Sequence, residues 1–295
     1  YDKLEKTNQP FFPNAAKDLF AAIMYHFVKD GITSNINNES LHDFLVQSEA
    51  PGQALREMLK KYSNLQSIIS YIHDDRSPQT AGVISELQIM VREILVGNFK
   101  KAGTLSMRES IRNKGGRIVF VEYDVGIGNM LTPIYRLLLD LAIKEALSRN
   151  KSEGNVWFII DEFQLIPHLQ HISDGINFGR SLGAKFIIGT QNVEQVFYAY
   201  NEYLARSILS GFMTTVAFRV NDLATRNFIQ GIFGKNRKLE AYMASVQSRG
   251  VVENMRDANV VEDWDIANLP VGRAIIGLPN TEPFLFQFQR YPSKP

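Results

Sequence analysis

From residue 115 onward, short apolar runs alternate with stretches in which apolar residues recur every three or four positions. RIVFVEY (117–123), VWFII (156–160), AKFIIGT (184–190) and MTTVAFRV (213–220) read as strands. Between them the helical spacing predicts helices from Thr132 through Ala146, over 169–182, over 192–210, and from Asn221 towards Gly231. Thr132 is placed to cap the first of these, with Pro133 at its first helical position. GRAIIGL and PFLFQFQ predict a closing hairpin with Pro279-Asn280 in its turn. Strands that do not alternate in polarity, separated by helices, predict an α/β fold: a mostly parallel sheet covered by helices on both faces.

The earlier part of the chain follows a different period. NAAKDLFAAIMYHFVKD (14–30) predicts a helix with Asn14 as cap and Gly31 as terminator. Residues 35–104 contain no convincing strand. Leu41, Phe44 and Leu45 form one stripe, and Leu55, Met58, Leu59 and Tyr62 a second after Pro51. Leu65, Ile68, Ile69 and Ile72 make a third, and a long helix after Pro78 carries Val83, Leu87, Met90, Val91, Ile94 and Leu95. This predicts an all-helical block inserted into the alternating chain.

Composition adds limits. The 295 residues are 45% hydrophobic, enough to bury a substantial core. Lys and Arg number 32 against 31 Asp and Glu, so bulk charge does not mark a nucleic-acid binder. There is no cysteine, which excludes disulfides and thiolate metal sites. No apolar run is long enough to span a bilayer. No secretory leader pattern opens the chain, which reads as a piece cut from a longer one.

The chemistry concentrates at strand ends. In a parallel sheet, ligands bind beyond the carboxyl ends of the strands. Asp161 and Glu162 stand at that end of VWFII. One carboxylate there can hold Mg²⁺ directly or through water, and a second can orient an attacking water. The plain alternative is that the two acids begin a loop and cap the next helix. Gln191 follows AKFIIGT and comes close to Glu162 if the two strands are neighbours. It suits a γ-phosphate sensor, or a polar cap for the helix over 192–200. Arg180 lies near the end of the intervening helix, where a cation complements the helix dipole; it can also serve as an arginine finger across a subunit boundary.

IIDEF followed by GRSLGAKFIIGTQNVEQ resembles the motor domain of type IV secretion coupling proteins, the hexameric RecA-like ATPases of bacterial conjugation. SMRESIRNKGGRIVFVEY, RNFIQGIFG and LPVGRAIIGLPNTEPFLF extend the likeness over nearly the whole chain. The resemblance implies a RecA-like nucleotide-binding domain formed by residues 1–34 and 105–295, with 35–104 as its all-alpha insertion domain. It assigns catalytic roles to Asp161, Glu162, Gln191 and Arg180, with Asp161 and Gln191 at the nucleotide and Asp161 on Mg²⁺ through water. It also implies ATP and Mg²⁺ as cofactors, and as partners DNA, relaxase or relaxosome proteins, secretion-channel proteins and a homo-hexamer. The location it implies is the cytoplasmic side of the bacterial inner membrane, with no membrane contact from this segment.

The sequence departs from the family in one respect: it contains no GxxxxGK[ST] phosphate-binding string. GIFGKN at 231–236 has Gly-Lys, but the spacing is too short and Asn236 follows. This predicts a chain that neither holds nucleotide nor hydrolyses it alone. The competing readings are a non-hydrolysing scaffold that recruits partners through its helical domain, and another double-strand DNA translocase of the same superfamily. Other features read as structural. YDVGIGNM lacks the third glycine of a dinucleotide loop, and His168 and His171 lack a third metal ligand. Tyr198, Tyr200 and Tyr203 read as packing residues. The basic residues at 100–117 and 235–238 read as solvated surface.

Overall fold

The computed structural model describes residues 10–30, 36–47, 51–113, 116–124, 126–243 and 251–289. The predicted helix stop at Gly31 lies outside them. The chain forms two compact units, Tyr1–Leu138 and Leu139–Pro295.

The first unit is helical: α1 (Phe11–Lys29), α2 (Asn38–Val46), α3 (Pro51–Leu59), α4 (Gln66–Ile69), α5 (Pro78–Ile94) and α6 (Met107–Arg112). The predicted stripes supply its core, where Leu45, Leu55, Leu59, Ile72, Val83 and Leu87 are almost fully buried. Ala15, Ala16, Leu19 and Ile23 of α1 complete the same cluster, so α1 is built into the helical block. Side chains cap two of these helices. Asn37 and Ser40 exchange capping bonds at α2, and the Ser77 hydroxyl accepts from the Gln79 amide ahead of α5. Asn14 is no cap: α1 starts at Phe11, and the Asn14 amide donates to the Pro10 carbonyl inside the first turn. Where α1 ends, His26 Nδ1 lies 3.0 Å from Tyr62 Oη, and that hydroxyl donates to Asp30 at 2.7 Å. Lys61 also donates to Asp30.

Two expectations for residues 116–133 fail. Residues 116–124, which include the predicted strand RIVFVEY, pair with no strand among the described residues. Ile118 and Phe120 are exposed, Phe120 at 88%. A strand is defined by its ladder, and no described segment pairs with this one. The next helix, α7 (Gly128–Leu147), begins a turn before Thr132. The Thr132 hydroxyl therefore donates back to the Gly128 carbonyl at 3.0 Å instead of capping, and Pro133 sits within the helix. Tyr123 reaches Asn129 at 3.1 Å across this start, and a Cβ on Gly128 would lie 2.4 Å from its ring.

In the second unit, β1 (Val156–Ile160) and β2 (Ala184–Ile188) pair in parallel, Val156 opposite Ala184 and Ile160 opposite Ile188. The helix α8 (Ile172–Leu182) returns the chain between them and packs on β2. Gly175 and Gly179 permit that approach, because a Cβ would come within 2.8 Å of the Phe186 ring at one and 2.9 Å of the Ala184 Cβ at the other. Phe158 and Phe186 stack beneath at 4.8 Å. The opposite face is open among the described residues, with Trp157 at 60% and Ile159 at 71% exposure, so the helix cover expected there is not seen. Then follow α9 (Val193–Tyr200), α10 (Glu202–Ser210), β3 (Thr215–Ala217) and α11 (Leu223–Phe233). The chain closes with β4 (Lys235–Met243), β5 (Val251–Asn259), α12 (Asp263–Ala267), β6 (Arg273–Gly277) and β7 (Phe284–Gln287). The closing hairpin forms as expected: β6 and β7 are antiparallel, Asn280 takes φ 62° in the turn, and β3 joins β6 on the other side. The ribbon β4–β5 is not anticipated by the sequence reading. Its basic residues pair with acids, Arg256 with Glu240 at 2.5 Å and Lys238 with Glu262 at 3.3 Å. No helix among the described residues is long and apolar enough to cross a membrane.

Two glycines test this account from opposite directions. The Gly189 amide donates to the Ile160 carbonyl at 2.8 Å, and a Cβ on Gly189 would fall 2.3 Å from the backbone oxygen of Asp161. Gly189→Ala is expected to cost roughly 1–3 kcal/mol through that overlap. Gly231 faces open space within α11, and Gly231→Ala is expected to stabilise by about 0.5–1 kcal/mol by removing backbone entropy from the unfolded chain. Urea unfolding of both variants checks the pair.

Burial first, then Lys61, hold His26 below the ordinary histidine value of 6.5, outweighing the pull of Asp30. Above 6.5 the folded and unfolded chains both keep this histidine neutral. As pH falls through 6.5 the unfolded chain binds a proton that folded His26 resists, so stability drops. The Tm should fall between about pH 7.5 and pH 5.5, and the His26→Gln variant should show a smaller fall.

Candidate functional site

The site is built where the β1–β2 ladder runs out. One further step of pairing follows the last strand residues: the Gly189 amide donates to Ile160 and the Phe163 amide to Gly189 at 3.0 Å. The two chains therefore stay side by side while β1 gives way to Asp161-Glu162 and β2 to Thr190-Gln191. Phe163 pins the turn that follows. It is wholly buried and stacks on Tyr200 at 4.7 Å, and the Tyr200 hydroxyl donates to the Ile166 carbonyl at 2.6 Å. Of the three tyrosines, Tyr200 is thus a packing residue as expected, whereas Tyr198 and Tyr203 are exposed.

Glu162 and Gln191 meet. Gln191 Nε2 donates to Glu162 Oε1 at 2.7 Å. Gln164 Nε2 donates to the other carboxylate oxygen, Oε2. Thr190 Oγ1 lies 3.2 Å from Gln164 Oε1 and 3.1 Å from the Asn192 carbonyl, so the Thr190–Gln191 backbone closes a ring of contacts around Glu162. Gln164 carries no signal in the chain that separates it from any other loop glutamine. Only its place two residues after Glu162, on a turn pinned by Phe163, brings it in.

The capping role weighed for Gln191 falls to another residue, and the two acids begin a loop without capping a helix. Asn192, not Gln191, caps α9, its Oδ1 accepting from the Glu194 amide at 2.7 Å. Glu162 stands at the entry of the short turn Phe163–Leu165 without a capping bond from its side chain. Asp161 is exposed, with no side-chain hydrogen bond or ion pair among the described residues. An oxygen donor free in this way suits a hard cation such as Mg²⁺, which takes one or two protein carboxylates and fills its shell with water and phosphate. No cluster of three potential ligands occurs among the described residues. His168 and His171 do not share a helix face either, because His168 has φ 59° and α8 starts only at Ile172.

The loop bearing Gln191 is held from α11. Thr225 Oγ1 accepts from the Val193 amide at 3.0 Å and donates to Asp222 Oδ2 at 2.6 Å, while the Thr225 amide donates to the same oxygen at 2.8 Å. The Thr225 hydroxyl, then its amide, hold the Asp222 carboxyl below the usual carboxylate range.

Arg180 is not part of this cluster. It is exposed in the last turn of α8, which Gly183 ends at φ 89°. Gly183 leads into Ala184, the amino end of β2. Arg180 and Gln191 therefore lie at opposite ends of a five-residue strand, some 15 Å apart at about 3.3 Å per residue. An arginine so placed cannot reach a ligand at the Glu162 end of its own sheet.

Comparison with known proteins agrees with this architecture. A family model described as the type IV secretion-system coupling protein DNA-binding domain matches residues 2–286. Coupling protein TraD of Escherichia coli (strain K12) is 24% identical over 185 residues, 60% of this chain and 26% of TraD. The unbound monoclinic structure of the bacterial conjugative coupling protein TrwBdeltaN70 superposes with a TM-score of 0.73 at 18% identity, covering 96% of this chain and 65% of that one. Plasmid coupling protein TrwB in complex with the non-hydrolysable ATP analogue ADPNP gives 0.70, and its complex with ADP and Mg²⁺ gives 0.69, both at 18% identity. The chain thus spans about a quarter of TraD and under two thirds of these TrwB chains. The sheet is RecA-like, and with the family model covering residues 2–286 this chain belongs to the type IV secretion-system coupling protein family.

Proposed function

We propose that this chain is part of a RecA-like motor that couples ATP hydrolysis to DNA transfer through a type IV secretion system. Residues 105–295 serve as the nucleotide-binding domain, and 35–104 as the all-alpha insertion that meets relaxosome or substrate, with α1 packed into that helical block. The observation that carries the reading is the 2.7 Å contact between Glu162 and Gln191 across adjoining parallel strand ends. A base must stand within hydrogen-bond reach of the water it activates, and a sensor amide beside that base can respond to a phosphate.

In this reading Asp161 holds Mg²⁺ through water, Glu162 orients and deprotonates the attacking water, and Gln191 contacts the γ-phosphate. Mg²⁺-ATP, when bound, supplies the phosphoryl group and the charge that the metal neutralises. Arg180 acts on the site of a neighbouring subunit, since about 15 Å of β2 separates it from its own. That requirement supports a homo-hexameric ring, with secretion-channel proteins as further partners. The ring belongs at the cytoplasmic side of the inner membrane. The residues that would cradle the phosphates are absent from this sequence, so no turnover is expected from this chain by itself.

The test uses the intact protein in a DNA-stimulated ATPase assay. Glu162→Gln should lower kcat by about 10²–10⁴-fold, the range for loss of a general base. Arg180→Ala should lose about 10³-fold, and mixed rings should recover activity when Arg180→Ala subunits alternate with Glu162→Gln subunits. DNA-stimulated turnover that survives Glu162→Gln would remove the hydrolase reading. An intact protein that binds partners and never hydrolyses nucleotide would be the scaffold instead.

A further inference from the structure

We propose that Gln164 is a positioning residue for Glu162: it keeps one carboxylate oxygen fixed while Gln191 releases the other to the attacking water. The inference rests on the hydrolase reading above. Each oxygen of Glu162 receives one amide N–H, Oε1 from Gln191 and Oε2 from Gln164. Each oxygen keeps a second lone pair, but hydrogen bonds to the ionised form weaken a carboxylate as a base, so releasing one donor makes Glu162 the better proton acceptor.

The two donors are not equivalent. Gln191 is exposed and comes from the neighbouring strand end. Gln164 is half-buried and rides on the same turn as Glu162, between the buried Phe163 and the Ile166 carbonyl that Tyr200 holds at 2.6 Å. It moves with Glu162 and stays.

The Glu162 carboxylate decides which way the Gln164 amide faces, and Thr190 supports that choice. The Thr190 hydroxyl proton is shared between Gln164 Oε1 at 3.2 Å and the Asn192 carbonyl at 3.1 Å. The share given to Gln164 Oε1 keeps the NH₂ end towards the carboxylate. The reversed amide would set oxygen against oxygen, because an ionised carboxylate only accepts. Thr190 also lies beside Gln191, so the hydroxyl ties the fixed donor to the loop that carries the moving one. When Gln191 turns to a phosphate, Oε1 becomes open to water and Oε2 remains held. The carboxylate then meets the water in one orientation rather than several.

Steady-state ATP hydrolysis by the intact protein with DNA tests the assignment. Gln164→Leu keeps the size of the side chain and removes both amide functions. It should lower kcat by about tenfold, the scale of lost orientation, and leave KM within about twofold, because Gln164 does not touch the nucleotide. Thr190→Val should lower kcat in the same direction, and Thr190→Ser should recover it. The double variant Gln164→Leu/Thr190→Val should be no slower than Gln164→Leu alone, since both changes break one ring.

Wild-type kcat in Gln164→Leu, or a double variant whose loss is the product of the two singles, overturns the inference. If Gln164→Leu does not fold, as judged by its thermal transition, the Thr190 pair decides: wild-type kcat in Thr190→Val overturns it equally. Glu162→Gln separates this failure from the larger one. If that variant is inactive while Gln164→Leu is normal, the hydrolase reading stands and only the role of Gln164 is lost.

Discussion

The flush parallel register of Val156–Ile160 against Ala184–Ile188 governs where every candidate group stands. Because Ile160 lies opposite Ile188, the residues after each strand emerge together. The ladder continues through the Gly189 and Phe163 amides before the chains part. A slip of one residue would turn Glu162 and Gln191 to opposite faces, since side chains alternate along a strand. The acid and the amide are neighbours because the backbones are.

That register depends on close approach, which glycine permits. Gly189 passes the Asp161 carbonyl where a Cβ cannot fit. Gly175 and Gly179 bring α8 down onto β2, and Gly183 turns the chain at φ 89° into the strand. The same short return from α8 explains why Arg180 is excluded from the cluster. A helix that crosses back to start the next parallel strand must end at that strand's amino edge, whereas the chemistry gathers at the carboxyl edge. The packing that assembles Glu162 with Gln191 keeps Arg180 about a strand's length away.

Aromatic packing supplies the second constraint. Phe163 between the sheet end and Tyr200 stops the turn from swinging, which turns Glu162 and Gln164 into a pair with one geometry. The Asp222–Thr225–Val193 bonds do the same for the loop carrying Gln191. The acid and the amide are thus each held from behind by groups with no chemistry of their own.

Much of this was legible along the chain. The apolar periods marked the helical block, β1, β2 and the β6–β7 hairpin, because burial and turn preference act over neighbouring residues. Asp161, Glu162 and Gln191 announced themselves as polar residues at the ends of buried strands. The tertiary structure alone decided the rest. Whether 117–123 is a strand depends on a partner edge, which no local pattern records. At the start of α7 Gly128 lies against the Tyr123 ring, and the polar ribbon β4–β5 forms by pairing between two separate segments. Gln164 and Thr190 joined the site because folding placed two loops side by side. Hydrogen bonds between side chains of different segments leave no period in the sequence, so only the assembled sheet reveals them.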